Sequence, residues 1–192
     1  AQTATLVAQN HVWENDVLRS STEESYYFSA RGGDKKNSFF YSLGYDSNTG
    51  IVRYLDALKR YTGRFNYENQ LNDKLRIGFN GSGQFQTTES QRDLNNGQNP
   101  FAFFYQANQY ENIFLPDGTY NPTSVGFPVL EALQTNTSNN KNLRINANVF
   151  GEYKFTDYLK FRSSFYNTYA HLIANSILKP KSYLDVILGY NG

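Results

Sequence analysis

Between residues 144 and 169 the chain alternates polar and apolar side chains with a period of two. Arg144, Asn146, Asn148, Glu152 and Lys154 alternate with Ile145, Ala147, Val149, Tyr153 and Phe155. After a tight Thr-Asp turn the pattern resumes, with Lys160 and Arg162 set against Leu159, Phe161 and Phe165. Successive side chains of a strand point to opposite faces, so this pair of strands has one wet face and one apolar face. Two architectures satisfy that rule. The apolar face is either the inside of a soluble sandwich or the outside of a barrel surrounded by lipid.

The same period recurs along the chain. It predicts strands over about 25–31, 37–46, 59–71, 75–86, 143–155 and 159–170. Phe39, Tyr41, Leu43 and Tyr45 share one face. Tyr61, Gly63, Phe65 and Tyr67 share another, opposed by Arg60, Thr62, Arg64, Asn66 and Glu68. Residues 1–24 read as polar and irregular, with a short helix or loop around "HVWENDVLRS". "IVRYLDALKRY" is open between a helical turn and a strand, and "SILKPKSYLDVILGYNG" is left unassigned. Residues 87–142 form a long segment rich in Asn, Gln, Thr and Gly.

Connection lengths separate the two architectures. "GGDKK", "LNDKL" and "FTDYLK" are tight, whereas the segments after Asp46, Gln86 and Ala170 are long. Several strands also exceed the usual five or six residues of soluble sheets. Tilted membrane strands need about 9–11. Short turns at one rim and long loops at the other mark an outer-membrane barrel. Aromatics near the strand ends, at Tyr26, Tyr27, Phe28, Tyr45, Phe155 and Tyr158, suit interfacial girdles. The apolar face is therefore expected to meet lipid, with Phe65, Ile77, Phe79, Ile145, Val149 and Phe161 outward. Arg64, Arg76, Asn80, Arg144, Asn146 and Arg162 are expected to face inward.

Composition agrees. Tyr 16 and Phe 15 in 192 residues make aromatics 17%, beside an apolar share of only 39%. Disordered chains are poor in aromatics, so a sheet with polar and aromatic faces fits better. No run approaches the roughly 18 apolar residues of a membrane helix. The opening "AQTATLVAQN" lacks the basic and apolar regions of a signal peptide. Without cysteine there is neither a disulfide framework nor a thiolate metal site. A net charge of +1 gives no excess for binding a polyanion, so nucleic acid is not an expected partner.

Catalytic and metal motifs are not expected. His11 and His171 are the two histidines and lie far apart. Glu23 and Glu24 are adjacent, so on a strand they point apart and cannot act as an acid–base pair. "GFNGSG" does not match a phosphate loop and falls within a strand, where Gly78, Gly81 and Gly83 suit curvature. No serine sits in a nucleophile-elbow context. No cofactor is expected, and no enzymatic activity.

The stretch from Asn10 to Val52 resembles part of the barrel of the SusC/RagA-type TonB-dependent transporters. The resemblance rests on Trp13–Arg19 before a strand, the Gly32–Lys36 turn, the aromatic strand Phe39–Tyr45 and the Gly50–Val52 stretch. "KRYTGRFNYENQLNDKLRIGFNGSG" continues it, and "NPFAFFYQANQY" with "PDGTYNP" resembles the start of the family's long extracellular loop. It covers about residues 10–170. It implies an all-β, antiparallel transmembrane barrel segment, about six strands of a 22-stranded whole. It implies nutrient uptake across the outer membrane of a Bacteroidota-like cell, with oligosaccharide or peptide as substrate. A SusD-like surface lipoprotein would cap the barrel, and the TonB complex would act through the N-terminal plug, which this sequence lacks. The other class left open is a structural or adhesive all-β surface protein without transport.

Within the long segment, Phe103, Tyr105, Tyr110 and Tyr120 are the candidate ligand or partner contacts. Phe101 and Phe104 add to the same aromatic cluster. Aromatic faces stack on sugar rings and Tyr adds a hydroxyl. Packing of the loop onto itself or onto a partner protein is favoured over direct stacking on a ligand.

Overall fold

A computed structural model describes residues 11–91, 99–103, 106–112, 114–119, 121, 123–124, 127–135 and 137–190. After a short helix α1 (Glu14–Val17) come the strands β1 (Glu23–Gly33), β2 (Asn37–Asn48), β3 (Leu58–Gln70) and β4 (Leu75–Gln91). The long loop carries α2 (Pro100–Phe103) and α3 (Phe127–Thr135). Then follow β5 (Thr137–Lys154), β6 (Lys160–Ile177) and α4 (Tyr183–Leu188). The strands form one six-stranded sheet in the order β1-β2-β3-β4-β5-β6, every pair antiparallel. Neighbours in sequence are neighbours in space throughout.

The register turns the alternation into rows that cross the sheet. One row runs Tyr26, Tyr45, Tyr61, Phe85 and Leu143; the next runs Phe28, Leu43, Gly63, Gly83, Ile145 and Tyr169. Further along the same face, Phe39, Tyr67, Phe79, Val149 and Phe165 align, and Leu75, Tyr153 and Phe161 close the band. The opposite rows hold Ser42, Arg64, Ser82, Asn146 and Thr168, then Asn66, Asn80, Asn148 and Tyr166. All twelve residues whose facing the period predicts lie on the expected sides. Tyr27 is the exception among the girdle aromatics, because its even step from Ser25 puts it on the polar face.

Nothing in the sheet covers the apolar face: Val149 is 52% exposed and Phe165 70%. A soluble monomer rarely leaves so much contiguous apolar area bare. From Leu143 to Tyr153 the band covers about 33 Å of strand at roughly 3.3 Å per residue. At a tilt of about 40° that is about 25 Å of depth, the height of the apolar band on a membrane barrel. Tyr26 stacks on Tyr45 at 6.3 Å, and Tyr45 meets Tyr61 at 5.0 Å, at one edge of the band. Tyr153 meets Phe155 edge-on at 4.9 Å at the other.

The strands are longer than the period alone suggests. β4 continues to Gln91 and β5 begins at Thr137, so the expected loop over 87–142 contracts to 92–136. β6 likewise runs on to Ile177. The added stretches of β4 and β5, with Thr87, Glu89, Asn139 and Lys141 on the outer face, are polar on both sides, so alternation cannot reveal them. Backbone pairing holds them instead. "IVRYLDALKRY" is irregular up to Ala57 and strand from Leu58, and the unassigned C-terminal stretch contains α4.

All three tight turns lie at the same end. In the first, the Asp34 carboxylate accepts backbone N–H bonds from Lys36 and Asn37, both 2.7 Å. In the second, the Asn72 amide oxygen accepts from Lys74 and Leu75, both 2.9 Å. Short Asx side chains mimic a backbone turn in this way, which fixes the hairpin register. The Lys36 and Asn37 N–H groups hold the Asp34 carboxyl below the usual carboxylate range. A depressed value adds stability above the ordinary carboxylate pKa of about 4, and this is lost as pH falls through the depressed value. A spin label at Lys35 is therefore expected to become more mobile below that pH, while one at Asp73, in the amide-capped turn, does not. Equal loosening of both turns would refute this assignment.

Gly78 is demanded by packing. A Cβ on Gly78 would lie 2.3 Å from two ring carbons of Phe150, which is 2% exposed. The Phe150 ring is also held beneath the Arg162 guanidinium, 3.9 Å from its centroid. Gly78→Ala is expected to cost about 1–3 kcal/mol by overpacking. Gly151→Ala, whose added methyl meets nothing within 4 Å, is expected to be silent. Thermal unfolding of the two variants in detergent checks the contrast.

Candidate functional site

Two parts of the molecule bring polar or aromatic groups together: the polar face of the sheet and a folded cap at its long-loop end. On the polar face, charges are mostly paired across strands. Asp46 accepts from Ser25 at 2.7 Å and from Arg60 at 3.0 Å. Glu68 pairs with Arg76. Glu152 lies 3.8 Å from Arg162 and 4.0 Å from Lys160. Between these pairs runs a patch without carboxylates, in which the Asn146 amide donates to Ser82 at 3.3 Å and accepts from Tyr166 and Thr168 at 3.0 Å each. Asn66, Asn80 and Asn148 sit side by side on β3, β4 and β5, and the buried side-chain oxygen of Asn148 has no hydrogen-bond partner among the described residues. Amides in such a row can donate and accept along a hydroxyl-rich or amide-rich molecule.

The cap is built from segments far apart in sequence. Trp13, Val17, Leu55, Val129, Leu130 and Leu133 form its core. Trp13 and Val17 are one helical turn apart, as are Val129 and Leu133, so each pair lies on one face. The Trp13 indole N–H donates to the Asn108 carbonyl at 2.9 Å, and the His11 N–H to Gln109 at 2.8 Å. His11 also bonds Asp16 at 2.5 Å and stacks edge-on against Trp13 at 4.7 Å, which is a structural use for this histidine.

Arg19 locks the connection between β2 and β3 into the cap. Its guanidinium donates to the Thr49 and Leu55 carbonyls, both 2.5 Å, and to Gly50 at 3.3 Å. Leu18 pairs with Val52 in an isolated bridge. Gly50 holds φ at 70°, the left-handed region that glycine enters without cost. These contacts explain why a Trp-to-Arg stretch and a distant Gly-Ile-Val occur together: they are two sides of one interface. The Asp56 carboxyl there is held below its usual range, first by the hydrogen bond from Lys59 at 2.7 Å and also by the charge of Arg19.

Of the four candidate contacts, Tyr110 alone has its side chain among the described residues. Phe103 ends α2, though its side chain lies outside the described residues, as do Tyr105 and Tyr120 altogether. Tyr110 lies in a turn and is 49% exposed. Phe101 and Phe114 are similarly exposed, at 41% and 50%.

Comparison with known proteins bears on both parts. No family model matches the chain. TonB-dependent receptor SusC of Bacteroides thetaiotaomicron is 24% identical over 98% of the chain, and TonB-dependent receptor P3 of Formosa agariphila 23% identical over 81%. The chain spans 21% and 16% of those proteins' own lengths. Among solved structures, the RagAB peptide transporter superposes with a TM-score of 0.68 at 18% identity. A closed state of the RagAB peptide importer gives 0.69 at 20%. Both superpositions cover 91% of this chain and 20% of the other. The order of motifs, the sequence relatives and the sheet agree: the chain is similar to a stretch of the SusC/RagA-type TonB-dependent transporters.

Proposed function

We propose that the chain forms part of the wall of an outer-membrane nutrient transporter. Its apolar rows face lipid, its polar rows face the lumen, its tight turns lie in the periplasm and its capped loop lies outside the cell. The observation that carries this reading is the sheet itself: one face bare and aromatic, the other polar, with all short turns at one end. The solute is an oligosaccharide or a peptide, both of which offer the hydroxyls or amides that the Asn66, Asn80 and Asn148 row would bond. A SusD-like surface lipoprotein engages the loop, and energy arrives from TonB through the plug. The RagAB structures, named as a peptide transporter and importer, favour peptide as the first substrate to try.

An epitope inserted at Asp117 of the full-length transporter is expected to be stained on intact cells, and one at Asp73 only after permeabilisation. The reverse staining would invert the topology. Within that frame, Tyr105, Tyr110 and Tyr120 changed together to Ala should lower uptake or the yield of co-purifying lipoprotein, with heat-modifiable migration of the barrel retained. Unchanged uptake and unchanged co-purification would assign these aromatics to packing within the loop.

A further inference from the structure

Not every arginine on the polar face has a partner. Arg60, Arg76 and Arg162 each meet a carboxylate of the sheet. Arg64 and Arg144 make no ion pair or hydrogen bond among the described residues. Arg31 is also unpaired there, but it shares its depression with Glu68, so an acid is already at hand. Arg64 and Arg144 instead line one depression of about 360 Å³, together with Ser42, Thr62, Ser82, Gln84 and Asn146, and no acidic residue borders it.

The register explains how two distant arginines share one hollow. Arg64 lies opposite Ser82, and Arg144 opposite Gln84, so β4 separates them and they are offset by one row. Two strand spacings of about 4.8 Å and one same-face step of about 6.7 Å put their Cα atoms about 12 Å apart. Long guanidinium stems on the same face can converge across that distance on one small group. Gly63 and Gly83 border the hollow through their backbone, since their side-chain positions belong to the apolar row. The remaining lining offers hydroxyl and amide donors, which an anion can accept from but which do not cancel the positive charge.

We propose that Arg64 and Arg144 form a carboxylate-binding site on the lumenal wall. The inference rests on the transporter reading for its direction, since it assigns the polar face to the lumen. Guanidinium is planar and presents paired N–H donors, which match the two oxygens of a carboxylate. A phosphate would be better served by free backbone N–H groups, and in the sheet interior those are committed to strand pairing. The carboxylate is borne either by the solute in transit or by a polypeptide segment lying in the lumen. Both supply the same chemistry.

The test uses the full-length transporter in detergent, with phenylglyoxal modification of each arginine followed by peptide mass spectrometry. Succinate is expected to slow modification of Arg64 and Arg144 about fivefold when roughly four-fifths of the sites are filled. Succinamide should not, and Arg60, paired with Asp46, should be unaffected by either. That result assigns the carboxylate to a solute. Both arginines unreactive from the start, but exposed once carbodiimide and an amine neutralise the protein's own carboxylates, assigns it to the chain. Arg144→Gln should remove protection at Arg64, because the two act on one ion.

The site is overturned if both arginines react freely with no protection by succinate, or if succinamide protects equally. Protection by inorganic phosphate but not by succinate also overturns it, as does shielding that persists after the carboxylates are neutralised, or protection of Arg64 unchanged in Arg144→Gln. Heat-modifiable migration in the same samples reports on the barrel separately, so failure of the site and failure of the transporter reading are distinguishable.

Discussion

Trp13→Ala is expected to unfold the cap while sparing the sheet. Trp13 is 5% exposed and contacts the centre of a small core, and its indole N–H satisfies the Asn108 carbonyl. Truncating a buried aromatic costs about 3–5 kcal/mol, which exceeds what so few other buried side chains can replace. The sheet shares no side chain with this core apart from its connections, so its own pairing remains. Limited proteolysis of the full-length protein should cut within residues 92–136 far faster in the variant, with heat-modifiable migration unchanged. Equal cleavage of variant and parent, or loss of the folded barrel band, would refute the separation of cap from wall.

Val149→Arg is expected to impair membrane assembly. Val149 lies close to the middle of the apolar band that runs from Leu143 to Tyr153, and an arginine on the lipid face at mid-depth costs about 2–4 kcal/mol. Thr168→Arg, on the polar face at a neighbouring height, gives up one exposed hydrogen bond to Asn146 and should cost at most about 1 kcal/mol. Urea-dependent folding into vesicles compares the two. Spin labels at Ile145 and Asn146 add a second reading: a lipid-soluble relaxant should reach the first and a water-soluble one the second. Equal access of both labels to the water-soluble relaxant would remove the facing assignment.

The sheet was legible because its period and its turn chemistry both act locally. Ile145 and Asn146 differ in polarity because they stand on opposite faces of the sheet, one apolar and one polar, and Asp34 and Asn72 stop strands through bonds to residues two and three further on. The overhang beyond Phe85 and Leu143 was not legible. The chain around Thr87, Asn139 and Lys141 is polar on both faces, and only pairing between strands separated by the whole loop extends the ladder there. The cap was hidden for a related reason. Val129, Leu130 and Leu133 show helical spacing in a short, otherwise polar stretch, yet what they bury is Trp13, Val17 and Leu55, and nothing in their own neighbourhood names those partners. The lone arginines were visible as arginines, but their lack of partners follows from the register and not from the pattern.

The contact between Trp13 and Asn108 joins residues 95 positions apart. The tight hairpins, by contrast, close over a handful of residues. Closing a long segment carries an entropic penalty that must be met before its contacts give any return, and non-local contacts accordingly form slowly. The order of events on the way to the native state is therefore built into the connectivity: hairpins first, the β4–β5 junction next, and the tryptophan last. A newly made chain is therefore expected to pass through a stage in which the sheet is paired while the cap is still open. The slowest contact, that of Trp13 with Asn108, then sets how long the long loop stays open to proteolysis.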